Sequence, residues 1–274
     1  MTPVTSVAHV LEALQRTKAG AAAFCTNLFA TQGKLQGWIS HGELLGEIRD
    51  HSAFFTRKDR DFWHLYFCAS DAATLRREIG NLPCLKLERL AVDVVGNEAG
   101  VSELLGVVAP AGFRPYARLL RLVRASQPSP PCASVDGTEV VGADQADQET
   151  IMNLLESCFD RYADQLPMPY EVEAAIEAKQ ILVIKCQGAL AALLYFETQG
   201  LTSTVRYWVV AEAFRSHRFG AALIRHYFAA QSAVRRFILW VTAANEDAAS
   251  KYRHYGYNPD SLVDQVLVNE LIPG

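Results

Sequence analysis

The chain is 274 residues long; half of its residues are hydrophobic and one fifth are charged. This composition excludes a disordered chain and is typical of two modest globular domains or one large one. The 26 Lys and Arg residues are offset by 30 Asp and Glu residues, giving a net charge of -4. That balance argues against a broad electrostatic surface for nucleic acid or for an acidic membrane.

The start of the chain and its cysteines bear on location and on metal binding. Residues 1–15 have the spacing of an amphipathic helix rather than of a signal peptide, and no apolar run reaches the roughly 18 residues that span a bilayer. We therefore expect a cytoplasmic protein. The six cysteines are scattered, without a C-x-x-C pair or a histidine at metal-ligand spacing. We expect reduced thiols and no metal site.

The first half of the chain predicts alternating strands and helices. Residues 61–69 and 85–95 are strand-like, and residues 71–79 have helical spacing. Three closely spaced prolines between residues 125 and 134 then favour an extended connector. The expected organisation is a first domain over 1–124, a linker over 125–134 and a second domain over 135–274.

The second half predicts a mixed α/β sheet. Strand-like runs alternate with segments of helical periodicity, and Gly188 and Gly200 mark turns between strands. Gly256 follows the last helix and predicts its end in the left-handed conformation. The predicted strands cover 138–141, 181–186, 190–197, 204–210, 237–241 and 262–268, and the predicted helices cover 146–162, 218–231 and 246–255.

The segment 205–223 has the pattern of an anion site. A strand, a short turn with Arg215 and Arg218, and a helix start follow one another. Backbone N–H groups at a helix start are unsatisfied donors, and the helix dipole adds positive potential there. The two arginines would add charge-assisted hydrogen bonds, and Gly220 would allow close approach of a ligand. A solvated arginine pair on the surface is the alternative interpretation.

A second pattern follows the predicted strand 237–241. Asn245, Ala248, Ala249 and Tyr252 are spaced i, i+3, i+4 and i+7, so they lie on one helix face. The small Ala248 leaves room for a ligand chain beside the Tyr252 hydroxyl, which could donate a proton. Equally, Asn245 could only cap the helix and Tyr252 could only pack.

These two patterns resemble the signature motifs of the GNAT acyltransferase superfamily. R-x-x-x-x-G-x-x-L occurs at Arg215, Gly220 and Leu223, and N-x-x-A-x-x-x-Y-x-x-x-G-[FY] begins at Asn245 and ends at Tyr257. Their order, their spacing and the strands that flank them agree with that family.

The resemblance implies a mixed sheet that opens between its fourth and fifth strands, here 204–210 and 237–241, with acetyl-CoA in the opening. It also implies direct attack of an amine on the thioester, with the Tyr252 hydroxyl as general acid for the departing thiolate. The donor would contact the backbone of Val209 and Val210, the N–H groups of Ser216, His217, Arg218, Phe219, Gly220 and Ala221, the Arg215 guanidinium, and Asn245 and Ala248.

Two features depart from the family pattern. The pyrophosphate turn of the family usually reads R-x-x-G-x-G, but Arg218 replaces its first glycine. The fourth strand carries no acidic residue, so the candidate general bases are Glu197 on the third strand and Glu212 at the turn. Either could be an ordinary surface carboxylate, and ordered water could carry the proton away instead.

The first half of the chain resembles a degenerate copy of the same unit. Residues 92–95, 102–108 and 111–120 have the pattern of its closing elements, but the strand-like run 62–69 leads into Ser70 and Asp71 without an arginine or a glycine-rich turn. We expect a tandem GNAT-like architecture, an α/β (α+β) fold whose first half shapes the substrate cleft. An unrelated α/β domain is the alternative for this half.

The resemblance favours an acyl-CoA-dependent N-acyltransferase, foremost an N-acetyltransferase, that uses acetyl-CoA as co-substrate. The acceptor would be a primary amine of a small molecule or peptide, recognised partly near residues 162–170, and we expect no nucleic-acid or membrane partner. The alternatives are a non-catalytic CoA-sensing or partner-binding module, and acyl or aminoacyl transfer from a carrier protein or tRNA. The sequence indicates neither the acceptor's identity, nor the acyl chain length, nor the oligomeric state.

Overall fold

The structure is a computed structural model that describes residues 1–19, 21, 23–86, 89–126 and 139–269. The chain forms two compact units. Unit 1 comprises Met1–Leu119 and Ser261–Gly274, and unit 2 comprises Leu120–Asp260. Most of the expected linker 125–134 lies outside the described residues, so the predicted domain boundaries remain a prediction. The end of the chain groups with unit 1 because its last strand pairs with a strand of that unit.

The elements of the first half repeat in the second half in nearly the same order. The first half contains β1 (Thr2–Pro3), α1 (Val7–Ala19), β2 (Cys25–Thr26), α2 (Gln32–Ser40), β3 (Leu44–Ile48), β4 (Ser52–Asp59), β5 (Phe62–Ala69), α3 (Ala72–Ile79), β6 (Leu90–Gly96), α4 (Glu98–Val108) and β7 (Arg114–Ala125). The second contains β8 (Val141–Gly142), α5 (Gln148–Cys158), α6 (Pro169–Glu177), β9 (Ile181–Cys186), β10 (Ala189–Gln199), β11 (Thr202–Val210), α7 (Phe219–Ala230), β12 (Arg236–Thr242), α8 (Glu246–His254) and β13 (Asn258–Val268).

Each unit contains a mixed sheet. In unit 1 the strand order is β1-β3-β4-β5-β6-β13, followed by the first part of β7. In unit 2 the last part of β7 is followed by β12-β11-β10-β9-β8. Neighbouring strands are antiparallel at most positions, but β5 and β6 run parallel, as do β11 and β12. The predicted fold class is therefore confirmed.

The expected elements differ from the observed ones mainly at their ends. The predicted strand 85–95 begins only at Leu90, because a 3-10 turn occupies Pro83–Lys86. The amphipathic segment 1–15 becomes helical only at Val7, because Thr2 and Pro3 pair with β3. The helix predicted over 146–162 ends at Cys158, and the strand predicted over 138–141 is Val141–Gly142, with residue 138 outside the described ranges.

Side chains on β11 alternate between two cores of unit 2. Trp208 and Val210 pack on the cluster that contains residues of α7 and α8. Tyr207 and Val209 pack on the cluster that contains residues of α5 and α6. A strand with both faces covered is apolar along its length, which explains why this run was recognised from the sequence. The end of β11 is thereby fixed on both faces.

A buried histidine gives unit 1 a pH-dependent stability. His64 on β5 is 1 % exposed, and its Nε2 lies 3.7 Å from Asp59 Oδ2. Arg57, directly opposite on β4, forms an ion pair with Glu43. Burial, reinforced by the positive charge of Arg57, lowers the pKa of His64 from 6.5 to about 3. The imidazole is therefore neutral in the folded protein at pH 7.

The free energy of unfolding is expected to fall as pH drops from 6.5 towards about 3, the range between the unfolded and folded pKa of His64. In this range the unfolded chain binds a proton that the folded chain excludes, so the slope approaches about 1.4 kcal/mol per pH unit. Replacing His64 with Phe should remove this part of the slope in urea denaturation between pH 7 and 4. Replacement of the exposed His51 by Gln serves as the control, and equal slopes for H64F and the wild type would contradict the prediction.

Candidate functional site

Strands β11 and β12 separate towards their carboxyl ends. Their parallel pairing runs from Thr202 with Arg236 to Val205 with Leu239, and within the described range 139–269 it extends no further. Strand β11 nevertheless continues to Val210, paired on its other edge with β10, and β12 continues to Thr242. A wedge-shaped opening therefore lies between the ends of two adjacent strands, as the resemblance to the GNAT family implied.

A β-bulge coincides with this separation. Tyr195 pairs with Tyr207 and Phe196 pairs with Val205, so Arg206 is an extra residue in β11. A bulge bends its strand and increases the local twist. Because Arg206 directly follows the last residue that pairs with β12, the bulge directs the end of β11 away from its neighbour.

The helix that follows β11 begins without a side-chain cap. Beyond Val210 the chain forms a 3-10 turn over Glu212–His217, and α7 then starts at Phe219. The N–H groups of Ala221 and Ala222 both donate to the Arg218 carbonyl, at 3.0 and 3.2 Å. Helix geometry leaves the N–H groups of the preceding positions without an intrahelical acceptor. Free N–H donors and the helix dipole favour an anion at such a helix start.

Two arginines adjoin this helix start. Arg218 has φ +57°, a left-handed conformation that a glycine would adopt without strain and that costs a non-glycine residue about 1 kcal/mol. This explains why the family usually has glycine at the position that Arg218 occupies here. Arg215 is 66 % exposed, and its Nη1 lies 3.9 Å from Glu212 Oε1, an exposed pair that contributes little. Both arginines remain available to an anion.

Gly220 lies in the first turn of α7, against β11. A Cβ atom at this position would lie 3.4 Å from both Trp208 Nε1 and Val210 Cγ2, which is ordinary van der Waals contact. The packing of α7 on β11 therefore accommodates an alanine here.

Helix α8 brings Tyr252 to the opening. The Asn245 side chain accepts a hydrogen bond from the Ala248 N–H at 3.1 Å and so caps the helix. The half-buried Tyr252 ring stacks on Trp208, with ring centroids 5.5 Å apart. Gly256 ends the helix at φ +82°, which confirms the predicted helix stop.

The Tyr252 phenol stays protonated near neutral pH. Burial, with a further contribution from the negative charge of Asp164, raises the pKa of Tyr252 to about 12. A protonated phenol at the opening can donate a hydrogen bond or a proton. Asp164 belongs to the segment between α5 and α6.

The segment between α5 and α6 is held by Tyr207 of β11. The Tyr207 hydroxyl donates to the carbonyl oxygens of Asp164 and Gln165, at 3.1 and 2.8 Å. Burial raises the pKa of the Asp164 carboxyl, and the negative charge of Asp160 raises it further. The sequence indicated the range 162–170 for acceptor recognition but did not single out Asp164, Tyr207 or Trp208.

The two acidic residues considered as general bases differ in their surroundings. Glu197 Oε1 lies 3.8 Å from Arg206 Nε, so the carboxylate is adjacent to the bulge where the opening begins. Glu212 is 89 % exposed in the turn before α7.

The remaining predicted residues occupy the two segments that follow β11 and β12. Val209 and Val210 end β11, and Ser216 and His217 lie exposed in the 3-10 turn. The His217 ring stacks on Phe219 with centroids 5.2 Å apart. Ala248 is half-buried on the core that contains α7 and α8.

The site combines separating parallel strands with an uncapped helix start after the first strand and a phenol from the helix after the second. This arrangement agrees with the resemblance to the GNAT family. Residues 149–257 match the model of the acetyltransferase (GNAT) family. The chain thus carries a GNAT domain in its second half. Comparison with curated proteins found no match.

Solved structures with the same fold cover both halves of the chain. A tandem GNAT protein from the clavulanic acid biosynthesis pathway aligns over 100 % of this chain and 98 % of its own, with TM-score 0.64 and 11 % identity. A GCN5-related N-acetyltransferase from Sphaerobacter thermophilus aligns over 98 % of this chain and 92 % of its own, with TM-score 0.62 and 14 % identity. A GCN5-related N-acetyltransferase from Kribbella flavida aligns over 88 % of this chain and 93 % of its own, with TM-score 0.60 and 16 % identity. At these identities the likeness shows the fold, which is a tandem GNAT fold.

No helix among the described residues is long and apolar enough to cross a membrane.

Proposed function

We propose that the protein is an acyl-CoA-dependent N-acyltransferase that transfers an acetyl group to a primary amine in unit 2. The observation that carries the proposal is the wedge between β11 and β12, with an uncapped helix start at one side and the Tyr252 phenol at the other. Acetyl-CoA acts as co-substrate, and its thioester is the group that the amine attacks.

The donor binds along the end of β11. The edge of β11 that faces β12 offers the backbone groups of Val209 and Val210 to the pantetheine amides. The pyrophosphate takes the N–H groups at the start of α7, with Arg215 and Arg218 beside them. The Ala221 N–H already donates to the Arg218 carbonyl, so Phe219 and Gly220 supply the outward donors. Asn245 and Ala248 line the other side of the pantetheine.

The reaction forms a C–N bond and breaks the C–S bond of the thioester. Tyr252 donates its proton to the departing sulfur as general acid, since a tyrosine phenol is protonated at neutral pH. Glu197 accepts the proton that the amine nitrogen loses, directly or through water. The Arg206 Nε lies 3.8 Å from Glu197 Oε1 and so holds the carboxylate beside the bulge.

The proposal is tested by titrating the protein with acetyl-CoA and then measuring thiol release with a panel of primary amines. Binding followed by amine-dependent thiol release is expected. Binding without release from any amine would favour the CoA-sensing alternative, which Arg218 in place of the family glycine supports. Absence of binding to acetyl-CoA and to longer acyl-CoAs would contradict both the acyltransferase proposal and the CoA-sensing alternative. Transfer from a carrier-bound donor would then be the remaining alternative.

Replacing Arg215 with Ala is expected to weaken acetyl-CoA binding about five- to tenfold. A hydrogen bond to a charged phosphate contributes about 1.5 to 3 kcal/mol, and the 66 % exposure of this side chain reduces that value. Calorimetric titration measures the change. The exposed Arg235, which lies just before β12 at the end remote from the wedge, provides the control R235A. Unchanged affinity in R215A would mean that the pyrophosphate lies elsewhere.

A further inference from the structure

Unit 1 contains a second pair of separating strands. The parallel pairing of β5 and β6 runs from Trp63 with Leu90 to Leu65 with Val92. Strand β5 continues to Ala69 and β6 continues to Gly96. The geometry that forms the donor opening in unit 2 is thus repeated in unit 1.

The space beside the end of β5 is taken by the chain's own β2. One edge of β5 is paired with β4 over its whole length, from Phe62 to Ala69. The other edge of β5 pairs with β6 only near its start. Near its end, Cys25 pairs with Ala69 and Thr26 pairs with Cys68. Strand β2 therefore pairs with β5 where the two parallel strands have separated.

Asn27 closes the rest of the gap. Its side chain is buried, and its Nδ2 donates to the carbonyl oxygens of Leu65 on β5 and Asp93 on β6, at 2.9 and 3.0 Å. Its Oδ1 accepts the Phe67 N–H at 2.7 Å, and its own N–H donates to the Phe67 carbonyl at 3.2 Å. The backbone groups that a pantetheine arm would use in this unit already have partners.

We propose that residues 25–28 act as an internal substitute for the donor in unit 1, so that each chain binds a single acyl-CoA, in unit 2. The expectation of one acyl-CoA per chain rests on the function proposed for unit 2. The occupation of the unit 1 cleft by residues 25–28 is independent of it.

The helix start in unit 1 supports the same assignment. The carboxylate of Asp71, the N-cap of α3, accepts the Thr74 N–H at 2.7 Å. Its hydrogen bonds to Thr74 lower the pKa of Asp71, so the group is ionised. An ionised carboxylate takes a helix-start donor and repels a phosphate, whereas α7 has no side-chain cap.

The helix that corresponds to α8 lacks a proton donor at the matching position. Helix α4 is capped by Asn97 as α8 is capped by Asn245. Tyr252 lies seven residues after its cap, and Leu104 lies seven residues after Asn97. In the described part of unit 1, the helix start after β5 is thus capped by a carboxylate and the position that matches Tyr252 holds a leucine, in addition to the filled cleft.

Hydrogen exchange in the unliganded protein tests the filled cleft. The amides of Asn27 and Phe67 are expected to be protected, and acetyl-CoA is expected to add protection at residues 206–221 but not at 65–69 or 91–96. In N27A the Phe67 amide should exchange about tenfold faster, because it loses a buried hydrogen bond. N81A, which removes an exposed side chain that bonds only the Arg77 carbonyl, is the control. Rapid exchange of Asn27 and Phe67 in the wild type would overturn the inference without recourse to a variant.

Counting bound acetyl-CoA by native mass spectrometry and by calorimetry tests the number of sites. One molecule per chain is expected, and G220D, which alters only the α7 site, is expected to bind it at least about tenfold more weakly than Gly220→Ala. Two molecules per chain would overturn the inference while the proposed function stands. A single molecule that G220D does not weaken and that adds protection at residues 65–69 and 91–96 would overturn both. No binding in the wild type would overturn the proposed function, and the exchange of Asn27 and Phe67 would then decide the filled cleft by itself.

Discussion

Replacement of Tyr252 by phenylalanine is expected to lower kcat about 100-fold and to change the affinity for acetyl-CoA about twofold at most. The phenylalanine ring retains the stacking on Trp208, at a centroid distance of 5.5 Å, and only the hydroxyl is lost. The thiolate must then leave without a proton donor from the protein. Steady-state kinetics of thiol release together with calorimetric titration separate the two effects.

Tyr255 supplies a matched control for that experiment. Its ring also contacts Trp208, edge to face, with ring centroids 5.4 Å apart. Tyr255 directly follows α8 and is half-buried, as Tyr252 is. Y255F should therefore leave kcat close to the wild-type value. Equal losses of kcat and affinity in Y252F, or a similar loss of kcat in Y255F, would indicate that Tyr252 packs rather than donates a proton.

Replacement of Gly220 by aspartate is expected to weaken acetyl-CoA binding by at least about tenfold relative to Gly220→Ala. Both variants add a Cβ that would lie 3.4 Å from Trp208 Nε1 and Val210 Cγ2. Only the aspartate adds a negative charge in the first turn of α7, where the pyrophosphate is proposed to bind. Such a charge interacts favourably with the helix dipole but repels a phosphate.

The comparison of the two Gly220 variants isolates charge from packing. Calorimetric titration with CoA and with acetyl-CoA gives the affinities, and thermal unfolding shows whether both variants retain the wild-type fold. If G220D and G220A bind the donor equally, the pyrophosphate does not contact the start of α7, and the proposed orientation of the donor is wrong.

Much of unit 2 could be predicted because its signals are local. The strand 181–186 was predicted to the residue, and the predicted helix 218–231 differs from the observed α7 by one residue at each end. Hydrophobic periodicity and turn residues decide such elements over short stretches of chain. The two motifs were recognised for the same reason, since each lies within one strand-to-helix connection.

The surroundings of the predicted residues could not be obtained in this way. Trp208 supports Tyr252 from a different strand, and the Asp164 carboxylate that influences the Tyr252 phenol comes from a segment almost ninety positions earlier. The only available signal for Trp208 was its spacing of two residues from Val210, which places both side chains on one face of β11. No signal in the sequence joins Asp164 to Tyr252.

The sequence by itself determined the class of fold, the donor motifs and the absence of an arginine-containing turn after β5, because each depends on neighbouring residues. Only the tertiary structure decided that β11 and β12 separate at a bulge and that the corresponding cleft in unit 1 is filled. Asn27 bonds residues 38 and 66 positions away, on two different strands. Hydrogen bonds over such separations form only when the sheet has assembled, so no local pattern encodes them.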